Sequence, residues 1–145
     1  MNISDKGLAL IEHLEGKRLT TYLDVVGIPT IGVGHTGPEV ALGMVITDEQ
    51  CREFLRDDVA DAEACINDAV KVDLTQDQFD SLCSFVFNVG RRAFRESTML
   101  KLINAGDYEG AARQFDRWDR AGGREIPGLL KRRIAEANHF KGEYA

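Results

Sequence analysis

The spacing of apolar positions along this 145-residue chain changes twice, and each change marks a different kind of structure. Leu8, Ile11 and Leu14 recur at three-residue intervals, which places them on one face of a helix. Ser4 can cap that helix, and Gly16 stands where a left-handed residue would end it. Between Arg18 and Val45 the helical spacing is lost. Gly27, Gly32, Gly34, Gly37, Gly43, Pro29 and Pro38 crowd among β-branched residues, the texture of short strands and tight turns. At Thr47-Asp48-Glu49-Gln50 a capping box restores helical spacing. Cys51, Phe54, Leu55, Ala62, Cys65, Ile66, Ala69 and Val70 then predict one long helix of about 20 residues, roughly 30 Å. Thr75-Gln76-Asp77-Gln78 is a second capping box, and it opens an apolar helix through Phe79, Leu82, Cys83, Val86 and Val89. Ser97 can cap a short helix that stops near Gly106. Asp107 can cap another, bearing Ala111, Ala112, Phe115 and Trp118, that runs to Gly122-Gly123. A last helix follows Pro127 and carries Leu130, Ile134, Ala137 and Phe140.

The fold class is therefore α+β and mainly helical. The first helix and a β lobe occupy about 1–46, an inter-lobe helix about 47–71, and a helical lobe about 72–145, all in a single domain. A glycine-rich sheet and a helical bundle joined by one helix predict a cleft suited to an extended substrate.

Composition narrows this picture. Hydrophobic residues make up 43% and charged residues 29%, enough for a core that needs neither metal nor disulfides. There is no run of about 18 apolar residues, so no membrane span or anchor is expected. Met1-Asn2-Ile3-Ser4-Asp5-Lys6 lacks the basic patch and apolar run of a secretory signal. Cys51, Cys65 and Cys83 are an odd number of cysteines, which favours free thiols. On one long helix, Cys51 and Cys65 would stand about 21 Å apart, too far to bridge. No Cys/His cluster has metal-ligand spacing, so no metal is expected. The net charge of −6 is uneven: residues 1–72 hold 6 basic and 13 acidic side chains, whereas Asn88–Arg133 holds 11 basic and 6 acidic. That stretch could face an anionic polymer. Nucleic acid is a poor candidate, because the whole chain is acidic and shows no recognition motif.

Candidate chemistry centres on three residues. Glu15 ends the first helix, where the negative pole of the helix and partial burial would both favour the neutral acid that a general acid requires. Asp24 precedes a turn in Tyr22-Leu23-Asp24-Val25-Val26-Gly27, and Thr30 follows in Pro29-Thr30-Ile31-Gly32. Taken singly, these are a helix-end glutamate, a turn aspartate and a β-branched strand residue. Together they place two carboxylates and a hydroxyl around one hairpin beside a helix end. Paired carboxylates flanking a glycosidic bond are the usual means of glycoside hydrolysis.

The run Glu15-Gly16-Lys17-Arg18-Leu19-Thr20-Thr21-Tyr22-Leu23-Asp24, then Gly27, then Thr30-Ile31-Gly32-Val33-Gly34-His35-Thr36, resembles the signature of the phage lysozyme family of glycoside hydrolases. Later segments are also similar: Gln78-Phe79-Asp80, Ser84 through Gly90, Ala93-Phe94 with Ser97-Thr98, Arg117-Trp118 with Ala121-Gly122-Gly123, and Pro127-Gly128-Leu129. The resemblance spans essentially the whole chain and is strongest to the endolysins of lambdoid phages.

It implies a two-lobe lysozyme-like fold and a muramidase that hydrolyses the β-1,4 bond between N-acetylmuramic acid and N-acetylglucosamine in bacterial peptidoglycan. Glu15 would be the acid, while Asp24 and Thr30 would position a water on the opposite face, with inversion and without a cofactor. It further implies a His35–Asp58 ion pair that ties the β lobe to the long helix, and a sugar cleft lined by Phe87 and Ser97. Trp118 is expected as a core anchor, and His13 and His139 as surface residues. The protein would be a monomer that waits in the host cytoplasm for a holin to open the membrane. Two alternatives remain open at this stage: a lytic transglycosylase, and an inactive glycan-binding module.

Overall fold

The computed structural model describes residues 1–121 and 124–143. It is mainly helical with a small antiparallel sheet, the α+β class expected from sequence. Ser4 opens α1 (Asp5–Glu15), its hydroxyl accepting from the Gly7 N–H at 3.2 Å. Gly16 closes α1 with φ +77° and donates to the Glu12 carbonyl at 2.8 Å, the left-handed C′ role that glycine fills without a Cβ penalty. The chain divides into two compact units: Leu8–Ala60, and Met1–Gly7 together with Asp61–Ala145.

In the unit Leu8–Ala60, β1 (Arg18–Leu23) pairs antiparallel with β2 (Pro29–Gly32). Tyr22 faces Thr30 and Leu23 faces Pro29, with a bulge between Arg18 and Tyr22. Residues 44–46 run along the other edge of β1, where Ile46 N–H bonds to the Leu19 carbonyl at 2.8 Å and Thr20 bridges Val45. Leu8, Ile11, Ile31, Ile46, Cys51 and Leu55 are buried in this unit. Each large apolar side chain removed from water contributes about 1.5–3 kcal/mol.

The Thr47 capping box forms as expected and starts α2 (Asp48–Asp58): Thr47 Oγ1 accepts from the Gln50 N–H at 3.1 Å, and Gln50 Oε1 accepts from the Thr47 N–H at 2.9 Å. The single long helix does not. It is interrupted at Val59, and α3 (Ala60–Ala69) follows. Asp57 and Asp58 occupy the negative end of α2, whereas Asp61 and Glu63 lie in the first turn of α3, where a helix favours anions.

The other unit is built around α4 (Gln76–Val89), opened by the Thr75 capping box and buried from Phe79 through Val86. It is followed by α5 (Arg91–Arg95), α6 (Thr98–Asn104) and α7 (Tyr108–Gln114). Next come β3 (Arg120–Ala121), paired antiparallel with β4 (Arg124–Glu125), and then α8 (Pro127–Phe140). The expected helix from Asp107 is shorter than its pattern suggests. α7 ends at Gln114 and tightens into a 3-10 turn over Phe115–Arg117. The i,i+3 side chains of such a turn eclipse. Phe115 and Trp118 thereby both meet the Phe85 ring edge-on, at 5.4 and 5.5 Å, which makes Trp118 the anchor that was expected. Gly122-Gly123, the expected helix end, lies outside the described residues.

The face of α8 also differs from expectation. Leu130 and Ile134 are exposed, whereas Arg132, Arg133, Glu136 and His139 are buried along with Ala137 and Phe140. The reason is on α4, which offers hydroxyls to this charged stripe. Ser81 Oγ donates to the Glu136 carbonyl at 2.6 Å, and Ser84 Oγ to Glu136 Oε2 at 2.5 Å. The three cysteines are free and buried, and burial pushes the Cys83 thiol far above its ordinary range.

Candidate active site

The β1–β2 turn is organised by one carboxylate. Asp24 Oδ1 accepts from the backbone N–H groups of Val26, at 2.9 Å, and Ile28, at 2.8 Å. The backbone closes around it: Asp24 N–H bonds to the Ile28 carbonyl and Gly27 N–H to the Asp24 carbonyl, each at 3.0 Å. Gly27 supplies φ +84° at this corner. An aspartate that bonds the backbone just ahead of it is a local turn device. Here it also fixes the second oxygen, since Oδ1 is committed and Oδ2 makes no hydrogen bond among the described residues.

Thr30 is coupled to the same residue, Ile28. Its side chain is buried, and Oγ1 donates to the Ile28 carbonyl at 2.8 Å. Asp24 therefore grips the Ile28 N–H while Thr30 grips an Ile28 carbonyl bond. With its proton so used, the Thr30 oxygen presents lone pairs, and it can accept from a water. The pair offers two acceptors anchored on one hairpin.

Glu15 is the last residue of α1, three positions before β1 begins. It is exposed, not partly buried as expected. The preceding turn of α1 is clamped to α2: Arg52 donates through Nε and Nη2 to the two Glu12 oxygens, at 2.7 and 3.0 Å. That guanidinium holds the Glu12 carboxyl below the usual carboxylate range. Lys17 adds an exposed ion pair with Asp48 at 2.7 Å.

His35 and Asp58 are brought together, Nδ1 to Oδ2, at 2.8 Å. No sequence pattern marks a second carboxylate on this ring, yet Nε2 meets Glu39 Oε1 at 2.5 Å, and the ring stacks on Phe54 at 4.2 Å. Burial alone would push the imidazolium down. The Glu39 and Asp58 carboxylates outweigh it and hold His35 above its ordinary value.

The family described as phage lysozyme matches residues 12–136. The chain belongs to that family. An endolysin of Acyrthosiphon pisum secondary endosymbiont phage 1 is 49% identical over 97% of this chain and 99% of its own length. Among solved structures, a P22 lysozyme mutant aligns with a TM-score of 0.93 at 43% identity, over 97% of this chain and 99% of that one. The endolysin of Escherichia coli O157:H7 phage FAHEc1 aligns at 0.89 with 38% identity, over 100% and 97%.

Within this phage lysozyme chain the remaining residues of interest divide by burial. Phe87 is half-buried near the end of α4. Ser97 is buried and caps α6: its hydroxyl accepts from the Leu100 N–H at 3.1 Å and donates to the Phe94 carbonyl at 2.6 Å. His13 is exposed, as expected, but His139 is 5% exposed and lies 3.9 Å from Asp77. It stands one helical turn beyond the buried Glu136, on the face packed toward α4. Burial holds its pKa below the ordinary value. Asp77, Asp80 and His139 bring ligand atoms within 4.8 Å of one another. Asp80, however, already accepts from the Ser4 N–H at 3.0 Å, the Ser4 hydroxyl and the Gln76 amide at 2.8 Å, so its carboxylate serves to hold the start of α1.

Proposed function

We propose that this chain is the endolysin of a phage lysis system, with Glu15, Asp24 and Thr30 as its catalytic residues. Members of its family are peptidoglycan-cleaving muramidases, and this chain is a glycoside hydrolase of that kind. The observation that carries the residue assignment is that Asp24 and Thr30 both bond the backbone of Ile28, one through its N–H and the other through its carbonyl.

On this reading Glu15, in its acid form, gives its proton to the glycosidic oxygen as the bond to the anomeric carbon of N-acetylmuramic acid breaks. A water held by Asp24 Oδ2 and the Thr30 oxygen attacks that carbon from the opposite face. Its proton passes to Asp24, and the anomeric configuration inverts. An inverting pair needs room for that water, which corresponds to carboxyl groups roughly 6.5–9.5 Å apart. Neither metal nor organic cofactor enters the step.

Phe87 and Ser97 would be the substrate-binding residues, with the Ser97 hydroxyl also capping α6. His35 with Asp58 would hold the β hairpin to α2. The whole chain would work as one catalytic domain and as a monomer, reaching the wall from the host cytoplasm through holin lesions. Loss of lysis when the holin is deleted, restored by chloroform, tests that route. Mass spectrometry of digested peptidoglycan tests the reaction. Reducing muramic ends support hydrolysis, and 1,6-anhydro ends would indicate a transglycosylase. Absence of any cleavage, with binding retained, would indicate a glycan-binding module.

A further inference from the structure

A buried arginine in the helical unit reaches the surface through one amide. Arg133, on α8, is 0% exposed, and its guanidinium is held by Glu136, also 0% exposed, and lies over the Phe85 ring at 5.1 Å. Its Nη2 donates to Oδ1 of Asn88, an exposed residue in the last turn of α4.

This contact settles which way the Asn88 amide points. A guanidinium has donors and no acceptor, so only the amide oxygen can face it. The Asn88 NH2 must therefore turn outward, and among the described residues it makes no hydrogen bond. A surface asparagine normally rotates freely. This one is held by a charge that cannot move, because Arg133 is fixed by Glu136 and the Phe85 ring. The outcome is a preoriented hydrogen-bond donor one residue along α4 from Phe87. Preorientation of this kind lowers the ordering cost of binding.

We propose that Asn88 is a substrate-binding residue that donates to an amide carbonyl of peptidoglycan, with Arg133 as the positioning residue that aims it. The proposal rests on the reading of Phe87 as a glycan contact. The carbonyl could belong to an N-acetyl group on a sugar ring or to the peptide stem, and the two sources can be separated.

The test is binding of Glu15→Gln protein to purified sacculi, and to glycan strands stripped of stems by an amidase, with and without Asn88→Asp. Aspartate keeps an oxygen toward Arg133 but lacks the outward donor. The melting temperature should be unchanged or higher, while affinity falls about tenfold. Loss on both polymers identifies the acetamido carbonyl, and loss on intact sacculi alone identifies the stem. Asn88→Ala should lose the same affinity. If Asn88→Asp binds both polymers as tightly as its parent while Asn88→Ala is merely less stable, Asn88 only braces α4 and α8, and the proposal is overturned. Release of soluble muropeptides by Glu15→Gln would instead contradict the acid assignment. The Asn88 comparison would then be read as KM in the wild-type background, where a rise without a fall in kcat supports the proposal and no change overturns it.

Discussion

In the hairpin of the unit Leu8–Ala60, polar groups are held by near neighbours in sequence. Asp24 bonds backbone two and four residues ahead, and Thr30 reaches back two. In the helical unit the partners are distant, since Ser84 and Ser81 meet Glu136 across 52 and 55 positions. Accessibility differs in the same sense. The hairpin leaves Val25 and Val26 in solvent around its turn, whereas Arg133 and Glu136 are removed from water entirely. A carboxylate anchored by its own turn stays open to a ligand and keeps its geometry. A buried ion pair fixes helix register at the cost of desolvating charge. The first arrangement suits chemistry, and the second suits orientation.

Substitutions sharpen that contrast, and the largest effect should fall on the hairpin. Asp24→Asn keeps the amide oxygen available to the Val26 and Ile28 N–H groups but cannot take a proton. Turnover is expected to fall about 10²–10⁴-fold, with circular dichroism unchanged. The opposite result is expected in the helical unit. Glu136→Leu leaves two buried guanidinium groups without their shared carboxylate, and urea unfolding should show a loss of about 3–5 kcal/mol. Arg52→Ala removes the fork on Glu12, and a loss of about 1–2 kcal/mol is expected by the same measurement.

The two histidines extend the comparison to pH. His35 has a raised pKa in the folded state, so its contribution is present below its unfolded value, about 6.5, and is lost as pH rises through the folded value. His139 has a lowered pKa, so it costs stability as pH falls below about 6.5. Thermal melts across pH should show His35→Asn losing most at acid pH and little at pH 9. His139→Asn should relieve part of the acid destabilisation. The smallest effect is expected for Lys17→Ala, whose exposed, solvent-screened pair with Asp48 should leave the melting temperature essentially unchanged.

The legibility of the sequence follows the same division. Thr47, Thr75, Ser97 and Ser4 announce helix starts because a cap is a contact over three residues, and all four cap as expected. The turn at Asp24 is visible for the same reason. The break at Val59, the 3-10 turn at Phe115 and the charged face of α8 are not. The turn and the charged face depend on groups far along the chain, and the break falls at a single residue, none of which hydrophobic periodicity records. On α8, Leu130 and Ile134 draw the eye, but the hydroxyls of Ser81 and Ser84 decide which face is buried. Glu39 was missed as a partner of His35 because a glutamate four residues on, in a glycine-rich stretch, carries no distinguishing pattern.

In the proposed reaction a helix-end acid and a hairpin carboxylate share one hydrolysis. Its most direct test is the clearing of chloroform-treated Gram-negative cells by Glu15→Gln beside the wild type at equal concentration, each shown to be folded by thermal melt. The variant is expected to melt like the wild type and to leave the suspension turbid. Clearing at the wild-type rate would contradict it.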